Sequence, residues 1–290
     1  MDTFFQSFSS GAAVGMVYSL IAVGIVFIYR ATGVFNFAVG SMLAFGAYLM
    51  WTFFASMELP FILSLLIALL GAMLLGLILE RLCLRPLIGE PILSSVLLTL
   101  ALSYLLDGIV VGIWGTVDHE LPPIFPNSII HLGKVAISAE WIWTFCIALF
   151  VIIVLILFVH RSKMGLLMRA TCEDHVIAEA RGISVENIFS LAWAVCGLIT
   201  AIAGVLLALQ LGVSQALPLI ALKAFPAVIF GGLESILGAC IGGLLVGILE
   251  NLAGTYIASW IMEITPHIIL LLVLILRPHG LFGLETIERI

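Results

Sequence analysis

The sequence HRSKMGLLMRATCEDHVIAEARGISVEN, residues 160–187, is the one long polar, charged segment in a chain that otherwise consists of apolar runs. Residues 171–181 are predicted to form a short helix, with Thr171 as its N-cap and Asp174 completing a capping box. An acidic first turn suits the positive end of the helix dipole, and Gly182 is expected to end the helix. This pattern indicates either a solvated connecting loop or a helix that docks into a groove on a soluble partner.

The composition excludes an ordinary soluble domain. Of the 290 residues, 63% are hydrophobic and only 10% are charged, and the mean hydropathy is +1.30. Repeated apolar runs of roughly 20 residues predict transmembrane helices. Asp2 and the lack of an N-terminal Lys/Arg cluster argue against a cleavable signal peptide, so we expect the first apolar run to be retained.

The apolar runs predict an all-α polytopic membrane protein with about eight transmembrane helices and broken or re-entrant segments. The predicted spans are residues 11–29, 37–54, 61–79, 92–114, 141–159, 188–209, 236–252 and 257–276. A shorter run, residues 217–230, is interrupted by Pro218 and Pro226. We expect it to cross the membrane as a broken element, and a re-entrant loop is the alternative.

The distribution of basic residues predicts the orientation. If the first span starts outside, nine of the 11 Lys and Arg residues fall on one side, namely Arg30, Arg81, Arg85, Arg161, Lys163, Arg169, Arg181, Arg277 and Arg289. The positive-inside rule makes that side cytoplasmic. The chain is therefore predicted to be a single membrane domain, residues 1–290. Residues 160–187 would form a cytoplasmic loop and residues 115–139 an extracytoplasmic one.

The two halves of the chain show a weak internal similarity. Residues 11–30 and 191–211 are both rich in small residues, and interrupted, glycine-bearing segments follow them at residues 32–47 and 225–240. In the predicted topology the two spans run in opposite directions. Interrupted segments in corresponding halves are typical of an inverted-repeat transporter with its site near the breaks. Chance similarity between glycine-rich apolar helices is the alternative.

Polar residues within the spans are the candidates for a transport pathway. Asp107 lies in the middle of a predicted span, where a carboxylate must face water or a partner; it either lines the pathway or makes a structural hydrogen bond. A helix that begins at Gly40-Ser41 would offer free N–H groups to an anionic group such as a carboxylate. Glu250 is expected near a helix end, at the interface. The predicted pathway residues are Asn36, Phe37, Gly40, Ser41, Asp107, Gly231 and Gly232.

Signatures of catalysis are absent from the sequence. The six histidines are isolated, the five cysteines are scattered without metal-ligand spacing, and no HExxH, GxSxG or Walker-type motif occurs. We therefore predict no catalytic residue, no metal site and no cofactor on this chain. If ATP drives it, a separate subunit must bind the nucleotide.

Five blocks of the chain carry a resemblance to a known family. They are GMVYSLIAVGIVFIYRATGVFNFAVGSMLAFGAYL (residues 15–49), ERLCLRPLIGEPILSSVLLTLALSYLLDG (80–108), GLLMRATCEDHVIAEARGISVENIFSLAWAVCGLITAIAGVLL (165–207), ALKAFPAVIFGGLESILGACIGGLLVGILENLAG (221–254) and LRPHGLFG (276–283). Together they resemble LivH-type permease subunits of ABC importers for branched-chain amino acids. Two blocks depart from the family pattern: NFAVGS stands where NFAHGE is common, and GGLESILGA where GGLGSIPGA is common.

The resemblance implies ATP-driven alternating access and a multi-pass protein of the bacterial inner membrane. The expected partners are a second permease subunit, a periplasmic substrate-binding protein and two cytoplasmic ATPase subunits that bind ATP and Mg. The expected substrate is a branched-chain or related amino acid; urea, short amides and other small solutes are alternatives. The resemblance places an ATPase-coupling helix at Thr171, Glu173, Asp174, Glu179, Ala180, Arg181 and Gly182.

Two other classes of protein compete with this interpretation. A stand-alone secondary transporter or channel would use Asp107 as a proton or cation site, and residues 160–187 would be a plain loop. A membrane scaffold without a pathway would leave the interrupted segments unexplained.

Overall fold

The computed structural model describes residues 2–125, 129–132, 135–173, 175–277 and 280–282. The chain is almost entirely helical, as its apolar runs predict. The helices are α1 (Asp2–Thr32), α2 (Val39–Trp51), α3 (Phe61–Leu79), α4 (Ile92–Trp114), α5 (Ala139–Arg161), α6 (Lys163–Glu173), α7 (His175–Ala180), α8 (Val185–Leu211), α9 (Leu217–Leu222), α10 (Ala224–Gly231), α11 (Ile236–Tyr256) and α12 (Ile261–Leu276). A π-helical turn, Thr52–Ser56, extends α2, and Glu80–Leu84 and Arg85–Leu87 extend α3.

Among the described residues, seven helical segments are long and apolar enough to cross a membrane. They are Thr3–Thr32, Val39–Ser56, Phe61–Leu87, Ile92–Trp114, Ala139–Arg161, Val185–Leu211 and Ile236–Tyr256. Leu217–Gly231 and Ile261–Leu276 are apolar but shorter. The predicted broken element is confirmed as broken, because α9 ends at Leu222 and α10 begins at Ala224. The fold agrees with the expected polytopic membrane protein.

The chain divides into two compact, discontinuous units. The first consists of residues 1–26, 125–156 and 223–290. Within it, α1 packs against α11 through small residues: a Cβ added at Gly247 would overlap the backbone of Gly15, and one at Gly243 would overlap Ser19. The Ser19 hydroxyl also donates a hydrogen bond to the Cys240 carbonyl at 2.6 Å. Glycine permits this close approach between helices, for which the hydrophobic effect gives no help in lipid.

The second unit consists of residues 27–124 and 157–222. Its centre is α8, which packs against α2 and α3. Gly204 lies against the Leu43 carbonyl of α2, and Gly197 lies against the Ala72 carbonyl of α3. Small residues thus let α8 approach both neighbours as closely as α1 approaches α11 in the first unit.

In each unit, the long helix of one half of the sequence packs against a helix or helices of the other half. The long helix of the first half, α1, packs on α11 of the second half. The long helix of the second half, α8, packs on α2 and α3 of the first. An inverted repeat with exchanged first helices would produce this pairing, so the packing supports the predicted repeat.

The segment between α4 and α5 contains a feature that the sequence did not predict. Strands β1 (Ile129–Leu132) and β2 (Val135–Ser138) form an antiparallel ribbon in which Ile129 pairs with Ser138. Earlier in the same segment, the His119 N–H donates to the Val213 carbonyl at 2.9 Å, and the Val213 N–H donates to the His119 carbonyl at 2.7 Å. This bridge fixes the loop after α4 to the loop after α8.

Candidate translocation site and coupling segment

The chain unwinds between α1 and α2, where the sequence predicts a broken helix. Gly33 has a φ of +68°, in the left-handed region that favours glycine, and α2 begins at Val39, close to the predicted start. Asn36 is fully buried. Its Oδ1 accepts a hydrogen bond from the Ala38 N–H at 2.9 Å, so its side chain shapes the turn into α2.

Thr99 of α4 supports this unwound backbone. Its hydroxyl accepts a hydrogen bond from the Phe37 N–H at 3.3 Å. It donates to the carbonyl of Val96 at 2.9 Å or to that of Phe35 at 3.3 Å. Non-helical backbone at membrane depth is tolerated only when its polar groups are satisfied. The buried Thr99 side chain therefore stabilises the break.

The first turn of α2 lies against α4 and α9. The Ser41 hydroxyl is buried and lies 2.9 Å from the Ser103 hydroxyl of α4. A Cβ added at Gly40 would lie 2.7 Å from the Pro218 carbonyl oxygen of α9, so glycine allows the two helices to meet. The N–H groups of a first helical turn have no intrahelical acceptors, and Gly40 of this turn lies beside α9.

Two small clefts lie between α2, α4 and α9, and Asp107 lines both. The cleft near the start of α2 has a volume of about 160 Å³ and is lined by Phe37, Gly40, Leu100, Ser103, Tyr104, Asp107, Pro218, Leu219 and Leu222. The cleft farther along α2 has a volume of about 240 Å³ and is lined by Ala44, Tyr48, Asp107, Val110, Val111, Gln215, Pro218 and Leu219. Three of the predicted pathway residues, Phe37, Gly40 and Asp107, thus meet at one cleft.

Tyr48 adds a polar group that sequence reasoning missed. Its side chain is fully buried, and its hydroxyl has no hydrogen-bond partner among the residues that the structure describes. Its ring packs 5.4 Å from that of Trp114, whose Nε1 donates to the Thr52 hydroxyl at 2.6 Å. Gln215, which lines the same cleft, donates from Nε2 to the Gly115 carbonyl at 3.2 Å.

The structure does not bring Gly231 and Gly232 to these clefts. They lie at the turn from α10 to α11, where Gly232 has a φ of +97° and Gly231 approaches the backbone of Gly238. Backbone bonds from Leu281 to the Phe230 carbonyl (2.9 Å) and from Phe282 to the Gly231 carbonyl (3.2 Å) attach the residues after α12 to this turn. Both glycines have a clear packing role there.

Glu250 is buried within the protein, whereas the sequence suggested a place near a helix end, at the membrane interface. It is within α11, its side chain is only 1% exposed, and its Oε1 accepts a hydrogen bond from Lys223 Nζ at 2.8 Å. Lys223 occupies the break between α9 and α10. Burial of this carboxylate is possible because Glu250 has a cationic partner, which lies 27 positions away in the sequence.

The polar segment after α5 folds differently from the prediction. Two helices, α6 and α7, replace the single helix over residues 171–181. Thr171 is not an N-cap: it is buried inside α6, and its hydroxyl donates to the Leu167 carbonyl at 2.9 Å. Glu173 is the last residue of α6 instead of lying in a first turn. Asp174 lies outside the described residues, so its predicted capping role stays a prediction.

The end of the predicted helix is confirmed. Gly182 has a φ of +81°, its N–H donates to the Glu179 carbonyl at 2.8 Å, and the Ile183 N–H donates to the Ala178 carbonyl at 3.0 Å. This is the Schellman pattern that a glycine after a helix provides. Glu179, Ala180, Arg181 and Gly182 are all exposed, so four of the seven residues expected to couple to an ATPase form one accessible surface, whereas Thr171 is buried.

The opposite side of α7 attaches to α8 and to the segment after α3. Ala178 packs with Val185 and Phe189 of α8, and with Ile88. Beside this cluster, Arg85 lies 3.5 Å from the buried carboxylate of Glu80 and 2.9 Å from that of Glu186 at the start of α8. Ser190 of α8 joins the network, since its hydroxyl accepts from Arg85 at 3.1 Å and donates to Glu80. The network joins the segment after α3 to the start of α8, next to the cluster that holds α7.

A family model described as "Branched-chain amino acid transport system / permease component" matches residues 7–276. The chain belongs to this permease family. The match covers both the unwound segment before α2 and the exposed surface after α7. The family and the seven long apolar helices support a multi-pass protein of the inner membrane, as the resemblance implies.

Individual members of the permease family are similar over nearly the full length. The chain is 30% identical to the high-affinity branched-chain amino acid transport system permease protein BraD of Pseudomonas aeruginosa, over 99% of this chain and 98% of BraD. It is 31% identical to the corresponding LivH protein of Escherichia coli K12, over 99% and 98% of the two chains. A solved structure, PsaBC from Streptococcus pneumoniae in complex with Fab, has a similar fold, with a TM-score of 0.51, 13% identity and coverage of 97% and 94%.

Proposed function

We propose that this permease is the membrane-spanning subunit of an ABC importer that passes a branched-chain or related small amino acid into the cytoplasm. The observation that carries the proposal is the similarity to BraD and LivH over 99% of the chain. The exposed helix α7, with its glycine-terminated end, supports it because an importer needs a cytoplasmic surface for its ATPase.

The proposed assembly contains a second permease subunit, identical or homologous, and a periplasmic substrate-binding protein. Two cytoplasmic ATPase subunits would bind ATP and Mg, since the sequence has no phosphate-binding loop of its own. This chain would bind no cofactor and carry out no hydrolysis. Its part is to form one wall of the pathway and to receive the motion of the ATPase subunits through Glu179, Ala180, Arg181 and Gly182.

In the proposed pathway, substrate passes along α2 and α4 during alternating access. Phe37, Gly40 and Asp107 would line the passage directly, because they surround one cleft. Asn36 and Ser41 would act indirectly. Both are buried, and they hold the unwound segment and the first turn of α2 in place. A carboxylate in a membrane span does not face lipid, so the open side of the cleft at Asp107 would face water or the second permease subunit.

The test is ATP-dependent uptake in proteoliposomes that contain the permease with its ATPase subunits, second permease and loaded binding protein. We expect accumulation of radiolabelled L-leucine that requires ATP and the binding protein, and that excess L-isoleucine suppresses but excess urea does not. Uptake inhibited by urea or acetamide instead would assign the short-amide class. Uptake by the purified chain alone, without ATP, would overturn the importer and favour a secondary transporter or channel.

A further inference from the structure

We infer that the cleft between α2, α4 and α9 recognises the α-ammonium group of an amino acid, and that the Asp107 carboxylate is the group that binds it. This inference rests on the proposed function and names the chemistry of its binding site. Asp107, Pro218 and Leu219 line both clefts, and Asp107 is the one charged residue among the described residues that line either cleft. A cation that enters from either side therefore meets the same carboxylate.

The charge of Asp107 has no cationic partner within the described chain. The ion pairs there join Arg85 to Glu80 and Glu186, and Lys223 to Glu250. A carboxylate within a membrane helix is costly unless water or a cation accompanies it. A substrate ammonium would supply that cation, and its charge-assisted hydrogen bonds are about twice as strong as neutral ones.

The other walls of the site suit the rest of an amino acid. On one side of Asp107, the first turn of α2 borders the smaller cleft at Gly40, and the N–H groups of a first helical turn can donate to a carboxylate. Leu100, Leu219 and Leu222 form an apolar wall of the same cleft, against which an aliphatic side chain can pack. These anion-binding, cation-binding and apolar surfaces match the carboxylate, the ammonium group and the side chain of a zwitterionic amino acid with a small apolar side chain.

Tyr48 provides an independent sign that a ligand belongs here. Its side chain is fully buried, it lines the larger cleft with Asp107, and its hydroxyl has no partner among the residues described. A buried hydroxyl without a hydrogen bond is unfavourable, and a polar ligand or its water would satisfy it. Volumes of about 160 and 240 Å³ lie below the range typical of drug-sized ligands, so the occupant is a small solute.

The inference is tested by ligand binding to the purified transporter complex in the absence of its binding protein. Trp114 packs on Tyr48 and gives a tryptophan fluorescence signal beside the larger cleft. We expect L-leucine and L-leucinamide, which carry the ammonium, to change this signal, and 4-methylpentanoate, which lacks it, to bind at least about tenfold more weakly. The Trp114→Phe variant identifies the part of the signal that comes from this site.

Variants at Asp107 then separate recognition from folding. Asp107→Asn is expected to weaken L-leucine binding by about tenfold or more and to remove the preference over 4-methylpentanoate, while Asp107→Glu retains the preference. Glu263→Gln, at an exposed carboxylate in the first turn of α12, is the matched control and leaves binding unchanged. Size-exclusion profiles of all variants report assembly.

Unchanged leucine affinity in an assembled Asp107→Asn complex would overturn the inference. So would equal binding of 4-methylpentanoate by the unaltered protein. Neither result would affect the proposed importer, which is judged separately by ATP-dependent leucine uptake. If the unaltered complex transports urea but not leucine, the proposed substrate class is wrong. The inferred ammonium site would then be wrong as well.

Discussion

At the scale of single residues, the ion pair between Lys223 and Glu250 has the clearest energetic consequence. Its atoms lie 2.8 Å apart, with side chains 20% and 1% exposed. Removing one partner leaves a charge buried in a membrane helix, which costs about 3–5 kcal/mol for a buried pair. We therefore expect Lys223→Met and Glu250→Met each to lower the melting temperature strongly, and the double variant to lose much less than the two single losses combined.

Thermal unfolding of the detergent-solubilised permease, followed by fluorescence-detected size exclusion, measures this double-mutant cycle. Lys163→Met, which removes an exposed cation at the start of α6, is the control and leaves the melting temperature nearly unchanged. Additive losses in the double variant would show that the two charges do not stabilise each other.

Sequence reasoning located correctly the residues whose position depends on nearby sequence, and their role in transport stays a prediction. Asn36 and Gly40 stand next to the break that they shape, and Asp107 is recognisable as a charge inside an apolar run. Tyr48 was missed because a tyrosine on an apolar helix gives no sign that its hydroxyl is unpaired. The partner of Glu250 was missed because Lys223 lies on a different helix, and pairing across helices leaves no periodic pattern in the sequence.

At the scale of elements, the contact between α1 and α11 depends on glycine. A Cβ at Gly247 would overlap the backbone of Gly15, whereas a Cβ at Gly112 of α4 meets open space within the chain. Gly247→Ala is therefore expected to destabilise the permease by about 1–3 kcal/mol through overpacking. Gly112→Ala is expected to be neutral or to stabilise by up to about 1 kcal/mol, because alanine favours the helix.

The same melting measurement compares these two alanine variants, which add one methyl group each to a membrane helix. A similar melting temperature for both would mean that α1 and α11 can separate without loss, contrary to the packing described here.

The next prediction concerns the residues at the end of α7, which we expect to couple the permease to its ATPase. Arg181→Glu reverses a charge on the exposed surface, and Gly182→Pro removes the N–H that donates to the Glu179 carbonyl. Both variants are expected to insert normally and to reduce leucine uptake by at least about tenfold without an equal fall in ATP hydrolysis. Uptake and ATPase rates in proteoliposomes give the ratio of the two activities.

Lys163→Glu reverses an equally exposed charge at the other end of the same segment and serves as the control. Wild-type uptake by both variants would mean that the end of α7 takes no part in coupling. The segment would then be a plain connecting loop.

Elements were predictable where length and hydropathy decide the outcome, as in α3 and α4. The short helices of residues 160–187 were harder to predict. The pattern Thr171-x-x-Asp174 matches a capping box, but the helix that starts at Lys163 continues through Thr171. Ser162, whose hydroxyl accepts from the Gly165 N–H at 3.0 Å, is the actual cap of that helix. Local sequence allowed both starts, and the packing of buried Thr171 decided between them.

At the scale of the whole molecule, the orientation of the permease is open to a direct test. Leu166 of α6 is 61% exposed and is predicted to face the cytoplasm, whereas Val117 is 68% exposed and is predicted to face the outside. In a cysteine-free background, we expect Val117→Cys to react with a membrane-impermeant maleimide in intact spheroplasts. Leu166→Cys is expected to react only after permeabilisation. The reverse labelling pattern would invert the topology.

The arrangement into two discontinuous units has a consequence for biogenesis. α1 leaves the ribosome well before its glycine-lined partner, α11, which is synthesised more than 200 residues later. In the finished protein, 89% of the most apolar 18-residue stretch of α1 is buried. Until α11 is made, this helix must reside in lipid or beside the insertion machinery. Its docking is thus a late, post-insertional step, and a nascent chain that stops before α11 leaves α1 as an orphan for quality-control proteases to recognise.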